Sequence, residues 1–253
     1  MGFCTGMRRR PTGNRNGGAR AMAAALSPRA NHAFYGLIAV LAVAAMMLAP
    51  MLVLAPDASA AARTTAKWSV FGTKEVMSTK LAKFQKWTDT LKRYSGEEPE
   101  ELQICKVTPT NQCHLARWRI FLKQILTRPK REQLDLVNAY LNKWLYVIDP
   151  VNYGVKDYWA TPKQFMQRAG DCEDYAISKF MSLAHLGFPK DKMRVLVLQD
   201  LNLSTAHAVL LVELDGDVLM LDNQISTVIS ADRVKHYKPI YSINEDAWWL
   251  HRG

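Results

Sequence analysis

The spacing of the apolar residues changes once along this chain, at Gly187, and this change restricts the fold more than any other feature. Between residues 74 and 187, apolar side chains recur every three or four positions, as they do on one face of a helix. After Gly187, short segments rich in valine and leucine follow one another, which is typical of strands. Helices that precede an antiparallel sheet indicate an α+β fold in one domain.

The same patterns predict the individual elements. Long helices are expected over residues 74–94, 114–127 and 132–148, and a short helix over 162–168. Thr161 and Pro162 supply the cap and the first residue of that short helix. Strands are expected over residues 193–199, 206–214, 218–222 and 239–243. Asp215-Gly216 is a strong hairpin signal, so the strands on either side of it are expected to pair.

The first 60 residues differ from the rest of the chain. They hold six arginines and one aspartate, and an apolar run of 22 residues occupies positions 34–55. Ala58-Ser59-Ala60 then offers the small residues that a signal peptidase reads. Residues 1–60 are therefore predicted to be a secretory signal peptide; an uncleaved membrane anchor is the alternative, because the apolar run is long enough to cross a bilayer. Both interpretations place the globular domain, residues 61–253, outside the cytoplasm.

That location decides how the charge of the chain is interpreted. The formal net charge is +10, but the six arginines and one aspartate of the first 60 residues together contribute half of it. The rest is spread over the remaining chain as an ordinary basic surface. A nucleic-acid partner is therefore not expected.

A further helix is predicted from Cys172, with Gly187 as its stop, and a cysteine therefore stands at its start. Asp171 is a good N-cap and Asp174 occupies the third helical position, which together form an aspartate version of the capping box. Cys172 is then the first helical residue, where backbone N–H groups and the helix dipole favour a thiolate and could hold an oxyanion. The alternative is a small buried cysteine with no chemical role.

A cysteine nucleophile needs an imidazole, and the imidazole needs an acceptor that orients it. His207 lies on one strand of the predicted hairpin, and Asp222 lies at the end of the other. A two-residue turn at Asp215-Gly216 places Asp222 opposite Val209, diagonal to His207 and on the same face of the sheet. A structural histidine and a turn that ends a strand are the alternatives.

Four segments together resemble the bacterial transglutaminase-like cysteine peptidases, a family that includes the LapG-type periplasmic proteases, which release surface adhesins. The segments are 157–162 (DYWATP), 170–176 (GDCEDYA), 207–210 (HAVL) and 221–223 (LDN). The resemblance covers residues 63–253 and implies a papain-like transglutaminase core, with N-terminal helices packed on an antiparallel sheet. Cys172, His207 and Asp222 match the catalytic triad of the family.

Calcium is expected partly from the residues and partly from the resemblance. Asp171, Glu173 and Asp174 crowd negative charge around Cys172, which disfavours a thiolate, and a divalent cation would reverse that effect. The alternative is that acidic residues simply favour a helix N-terminus. LapG-type enzymes need calcium bound by carboxylates beside the nucleophile; Asp171 and Glu173 match those positions, and Asp174 is the candidate third ligand. The other ligands of a full calcium shell are not identified.

Cys105 and Cys113 are predicted to form a disulfide. They enclose a short loop, and an oxidising compartment permits a bridge between them. Two unpaired thiols are one alternative, and a metal site that includes His114 is another.

The resemblance implies a periplasmic cysteine endopeptidase that hydrolyses a peptide bond of a secreted or surface protein, an adhesin in LapG-type systems. It also implies regulation by an inner-membrane receptor. Two other functions remain open. The same triad supports transglutaminase or deamidase chemistry, and a degenerate member of the fold would be a non-catalytic binding module.

Overall fold

The structure is a computed structural model that describes residues 68–97, 105–108 and 112–253. The predicted signal peptide, residues 1–60, lies outside these ranges. Within them, every helix is too short or too polar to cross a membrane.

Helices and strands are segregated along the described chain, as the change in apolar spacing predicts. The helices are Gln85–Glu97 (α1), His114–Ile125 (α2), Lys130–Leu141 (α3), Asp149–Asn152 (α4), Pro162–Arg168 (α5) and Cys172–His185 (α6). The strands are Lys74–Ser78 (β1), Met193–Asp200 (β2), Thr205–Leu214 (β3), Asp217–Leu221 (β4), Ile229–Ser230 (β5), Tyr237–Ile243 (β6) and Trp248–Arg252 (β7). The α+β class is confirmed.

These strands form one sheet in the order β1-β7-β6-β2-β3-β4-β5, and each pairs antiparallel with its neighbours. β2 and β3 lie near the centre, and α6 packs against both. The helix that begins at Cys172 therefore lies on the strand that carries His207.

Apolar residues cover both faces of the central strands. Val195 and Val197 of β2 pack into the core that the helices share. Leu196 and Leu198, which point the other way, pack in a second cluster with Tyr237 and its neighbours. This double burial explains why β2 is an almost continuous apolar run rather than an alternating one.

The aromatic residues of the helices belong to the core. Trp87 of α1 and Trp118 of α2 are both completely buried. The ring of Trp87 meets Phe180 of α6 edge-on, with 5.7 Å between the ring centroids. The indole N–H of Trp118 donates a hydrogen bond to the hydroxyl of Ser182, at 2.8 Å, so α6 is anchored from two sides.

The helix predicted over residues 74–94 is wrong at its beginning. Residues 74–78 form the edge strand β1, which pairs with the last strand of the chain; Met77 lies opposite Trp249. Met77 has the spacing of a helical residue, so the local sequence does not identify it as part of a strand. The strand forms through pairing with β7, which lies at the far end of the sequence. The helix predicted over residues 132–148 is also shorter, because α3 ends at Leu141. No element is predicted for Trp248-Trp249, which form part of β7.

Cys105 and Cys113 are joined by a disulfide, with their Cα atoms 5.8 Å apart. Cys113 directly precedes α2 and adopts a positive φ of 55°, a conformation that is uncommon for a residue with a side chain. The bridge therefore holds the segment that enters α2.

Candidate functional site

The turn that leads into α6 joins separate parts of the chain. Ala169 has a positive φ of 63°, and a Cβ on Gly170 would lie 2.1 Å from Oδ2 of Asp174, so the turn requires glycine there. The carboxylate of Asp174 accepts hydrogen bonds from the N–H groups of Ala160, at 2.7 Å, and Asp171, at 3.3 Å. Asp174 thus closes the first turn of α6 and fastens it to the segment before α5.

Cys172 is the first residue of α6, as predicted, and it is completely buried. The first N–H groups of a helix have no partners within the helix, and the dipole places partial positive charge on them; both features stabilise an anion at this point. Sγ also lies 3.3 Å from Oε2 of Glu173. A negative charge this close disfavours a thiolate unless another charge neutralises it.

The hairpin of β3 and β4 places the imidazole and its acceptor together. Leu210 pairs with Leu221 and Val212 with Leu219, which is the register that a two-residue turn predicts. Nε2 of His207 lies 2.9 Å from Oδ1 of Asp222, and both side chains are buried. The sequence thus correctly predicts that the two residues share one face of the sheet.

Two further residues contact this pair. The hydroxyl of Tyr237, on β6, donates to Oδ2 of Asp222 at 2.7 Å, and the N–H of Gln224 donates to Oδ1 at 2.8 Å. The side-chain amide nitrogen of Gln224 lies 3.3 Å from Nδ1 of His207. Burial alone would raise the pKa of Asp222, but its bond to His207 and these two donors hold that pKa below its usual value.

A second cluster, of carboxylates, surrounds the start of α6. Asp149, Asp171 and Glu173 each offer an oxygen, and these oxygens lie within 4.8 Å of one another. All three residues are about 1% exposed. Oδ2 of Asp149 accepts from the N–H of Tyr158, whereas Oδ1 of Asp149 and Oδ1 of Asp171 have no hydrogen-bond partner among the described residues.

Burial raises the pKa of each acid in this cluster. The pKa of Asp149 is raised to about 6 and that of Asp171 to about 7, with burial as the main cause in both. The pKa of Glu173 is raised well above its usual value by burial and by the charges of Asp171 and Asp174. Buried carboxylates with raised proton affinity, two of whose oxygens have no donor among the described residues, fit a hard divalent cation, which prefers oxygen ligands.

The sequence matches the family model of the bacterial transglutaminase-like cysteine proteinases, BTLCP, over residues 100–251. The chain belongs to this family of cysteine peptidases. It is also similar to the solved structures of LapG from Legionella pneumophila. The calcium-bound form is 28% identical with a TM-score of 0.52 and covers 64% of this chain and 86% of LapG. The EGTA-treated form is 28% identical with a TM-score of 0.53 and covers 66% and 86%. No curated protein sequence matches the chain.

The observed carboxylate cluster differs in one residue from the calcium ligands predicted from the sequence. Asp171 and Glu173 lie in it, but both oxygens of Asp174 face backbone N–H groups, and Asp149 takes the third place. Asp149 precedes Asp171 by 22 residues and stands at the start of the short helix α4. Its Asp-Pro sequence marks a helix start, but no local pattern connects it to α6.

Tyr237 and Gln224 were also absent from the predicted site. Gln224 follows Asp222 by two residues, and its N–H closes the turn that an aspartate at the end of a strand often forms. That signal is present in the sequence. Tyr237 has no such signal, because it reaches Asp222 only through the pairing of β6 with β2.

Proposed function

We propose that this cysteine peptidase is a periplasmic endopeptidase that hydrolyses a peptide bond through Cys172, His207 and Asp222. The observation that carries the proposal is the contact between Nε2 of His207 and Oδ1 of Asp222, at 2.9 Å, on the strand against which α6 packs. Because Nε2 of His207 is hydrogen-bonded to Asp222, Nδ1 is the ring nitrogen that would exchange a proton with Sγ of Cys172.

The chemistry follows from these positions. Nδ1 of His207 accepts the proton of Cys172, and Sγ attacks the carbonyl carbon of the scissile peptide. Backbone N–H groups at the start of α6 stabilise the oxyanion that forms. The C–N bond then breaks, and the imidazolium returns its proton to the leaving amine. Water, deprotonated by the same imidazole, hydrolyses the thioester and regenerates the thiol.

Calcium is part of this proposal. Asp149, Asp171 and Glu173 would hold the ion, and the orphaned oxygens Oδ1 of Asp149 and Oδ1 of Asp171 support this ligand set. A bound divalent cation supplies positive charge that offsets the carboxylates beside Cys172. The calcium-bound and EGTA-treated forms of the similar LapG agree with this proposal. Asp174 instead keeps the turn closed.

The substrate and location are proposed from the sequence. The basic segment, the apolar run and the small residues of positions 58–60 favour export of residues 61–253 through a signal peptide. An exported peptidase of the LapG type would cleave a secreted or surface protein, such as an adhesin, under the control of an inner-membrane receptor. N-terminal sequencing of protein from the envelope tests the location: a chain that begins at Ala61 agrees with it, and an intact apolar segment in the membrane contradicts it.

The activity is tested with calcium-loaded protein, a mild reductant and a panel of surface-protein fragments. Wild type should cleave at least one fragment, and Cys172→Ser should reduce kcat by about 10⁴-fold or more. The double variant Cys105→Ser/Cys113→Ser is the matched control, because it removes two other sulfurs and should keep kcat. Cleavage by Cys172→Ser at the wild-type rate would contradict the proposal, and so would incorporation of an added amine in place of hydrolysis.

A further inference from the structure

The side-chain amide of Gln224 lies beside the ring nitrogen of His207 that would react with the sulfur. Its amide nitrogen is 3.3 Å from Nδ1, while Oδ1 of Asp222 is 2.9 Å from Nε2. Gln224 is half-buried, and His207 is only 2% exposed. Both nitrogens of the imidazole therefore have a protein partner in the resting site.

The direction of the bond between Gln224 and His207 follows from the chemistry of the groups around them. The carboxylate of Asp222 is surrounded by donors, so it is ionised and can only accept. Nε2 of His207 must then carry the proton that it donates to Asp222, and Nδ1 of the neutral ring presents a lone pair. The amide nitrogen of Gln224 donates to that lone pair. The proton of Cys172 needs the same lone pair, so the two donors compete for one acceptor.

The backbone on both sides of Gln224 is held by α3. The amide of Asn142, which caps the end of α3, donates to the backbone carbonyl of Asp222 at 2.8 Å. The amide of Asn138, one turn earlier on α3, donates to the backbone carbonyl of Ser226 at 3.0 Å. Between them, the N–H of Gln224 donates to Oδ1 of Asp222 at 2.8 Å. The place of the Gln224 side chain is thus set by the fold.

We propose that Gln224 is a positioning residue, whose amide donates to Nδ1 of His207, keeps the resting imidazole neutral and releases this nitrogen when Cys172 gives up its proton. The inference rests on the proposed function of His207 and Cys172. A hydrogen bond to the neutral form of a base disfavours its charged form. His207 therefore remains a base at pH values where a ring bonded only to a carboxylate would already be protonated.

Other titratable groups lie on the elements packed around His207, and none of them changes when residue 224 is substituted. They are Asp222 at the end of β4, Tyr237 of β6 and His236 before it, Asp200 of β2, and Cys172, Lys179 and the carboxylates at the start of α6. A difference between wild type and a Gln224 variant in the titration of His207 therefore comes from residue 224.

The test follows the protonation of His207 by NMR. In protein that carries Cys172→Ser, in excess calcium, the ring signals of His207 are titrated and assigned by their loss in His207→Gln. Gln224→Met removes the donor and keeps the length of the side chain. We expect the titration midpoint to rise by about half to one pH unit, as for the loss of one hydrogen bond. Gln224→Glu replaces the donor by a carboxylate that accepts from the protonated ring, and it should raise the midpoint further.

Gln85→Met, on an exposed position of α1, is the matched control and should leave the midpoint unchanged. Thermal unfolding checks that each variant is folded over the range of the titration. A rise in Gln224→Glu shows that the side chain at position 224 reaches the ring. An unchanged or lower midpoint in Gln224→Met would overturn the proposal, because the amide then either does not act on the ring or turns its oxygen toward the protonated ring.

Failure of the proposed function would look different. If wild type cleaves no protein and Cys172→Ser changes nothing, the endopeptidase proposal fails, whatever the titration of His207 shows. If wild type is active and the midpoint does not rise in Gln224→Met, only the role of Gln224 fails. In active protein, the acid limb of kcat/KM should move to higher pH in Gln224→Met together with the midpoint, because a protonated His207 cannot accept the proton of Cys172. A purely structural Gln224 would lower kcat/KM at every pH without moving that limb.

Discussion

Oδ1 of Asp222 lies 2.9 Å from Nε2 of His207, across a hairpin whose register is set by the two-residue turn at Asp215-Gly216. The carboxylate is completely enclosed, and each of its oxygens also accepts a bond from another donor. An acceptor held in this way fixes the plane of the imidazole and the position of its proton. The orientation of His207 is thus determined by the fold rather than by a bound substrate.

Substitution of Asp222 should therefore impair catalysis more than folding. Asp222→Asn preserves the shape of the side chain but lets its amide face Nε2, which favours the wrong tautomer of His207. We expect kcat to fall by about 10²–10⁴-fold with little change in KM. Steady-state kinetics on a cleaved protein fragment measure both constants. An active Asp222→Asn variant would remove Asp222 from the triad.

Tyr237 should contribute a smaller effect through the same carboxylate. Tyr237→Phe deletes only the hydroxyl that donates to Oδ2 of Asp222, and it leaves a buried acceptor unsatisfied. We expect a loss of about 1–3 kcal/mol in the free energy of unfolding. We also expect a fall in kcat of roughly tenfold, which corresponds to about 1.4 kcal/mol of lost transition-state stabilisation.

Tyr241→Phe is the matched control, since Tyr241 lies on the same strand and its ring packs on Phe84, with 5.0 Å between the centroids. It should keep kcat close to that of wild type. Equal effects of the two substitutions on kcat would contradict a specific role for Tyr237.

The residues that the sequence predicted share one property: their partners are close along the chain. The position of Cys172 at a helix start is predicted from the N-cap at Asp171. The pairing of His207 with Asp222 is predicted from the turn at Asp215-Gly216. β1 and Asp149 show the opposite case. β1 depends on pairing with the last strand, and Asp149 lies near Asp171 because the segment before it forms a backbone bridge between Tyr146 and Gly170. Local periodicity carries no information about either contact.

The exchange of Asp174 for Asp149 in the carboxylate cluster leads to a direct comparison. Asp149→Asn should lose calcium binding, because it removes one charge from the cluster and replaces an oxygen by an amide. Asp174→Asn should still bind calcium but unfold at a lower temperature, because its carboxylate accepts from two backbone N–H groups. Isothermal titration with calcium and thermal unfolding with and without calcium measure the two effects.

Asp89→Asn, which changes an exposed acid on α1, is the control for both variants and should match wild type. In wild type, saturating calcium should raise the Tm, since a ligand that binds only the folded state stabilises it. Loss of calcium binding in Asp174→Asn, with normal binding in Asp149→Asn, would restore the ligand set that the sequence predicted.

His251 should determine part of the stability of the protein in acid. It is buried on β7, where Nδ1 lies 2.9 Å from the hydroxyl of Thr73 and Nε2 lies 2.9 Å from the hydroxyl of Ser242. Burial, together with the positive charge of Arg194, lowers the pKa of His251 to about 4. Because its pKa is lower in the folded state than the value of about 6.5 in an unfolded chain, the unfolded state binds the proton first as the pH falls.

The stabilisation from neutral His251 is therefore complete above about pH 6.5 and is lost as the pH falls from there through about 4. We expect the Tm of wild type to fall relative to that of His251→Gln over this range. The buried acids Asp149 and Asp171, whose pKa values are raised, act with the opposite sign and equally in both proteins, so the difference between the two curves isolates His251. His251→Gln should begin with a lower Tm at pH 7, because its amide replaces the two ring contacts imperfectly. His236→Gln, which substitutes a half-buried histidine elsewhere, is the control and should follow the wild-type curve. If the curve of His251→Gln runs parallel to that of wild type down to pH 4, another group is responsible for the loss of stability in acid.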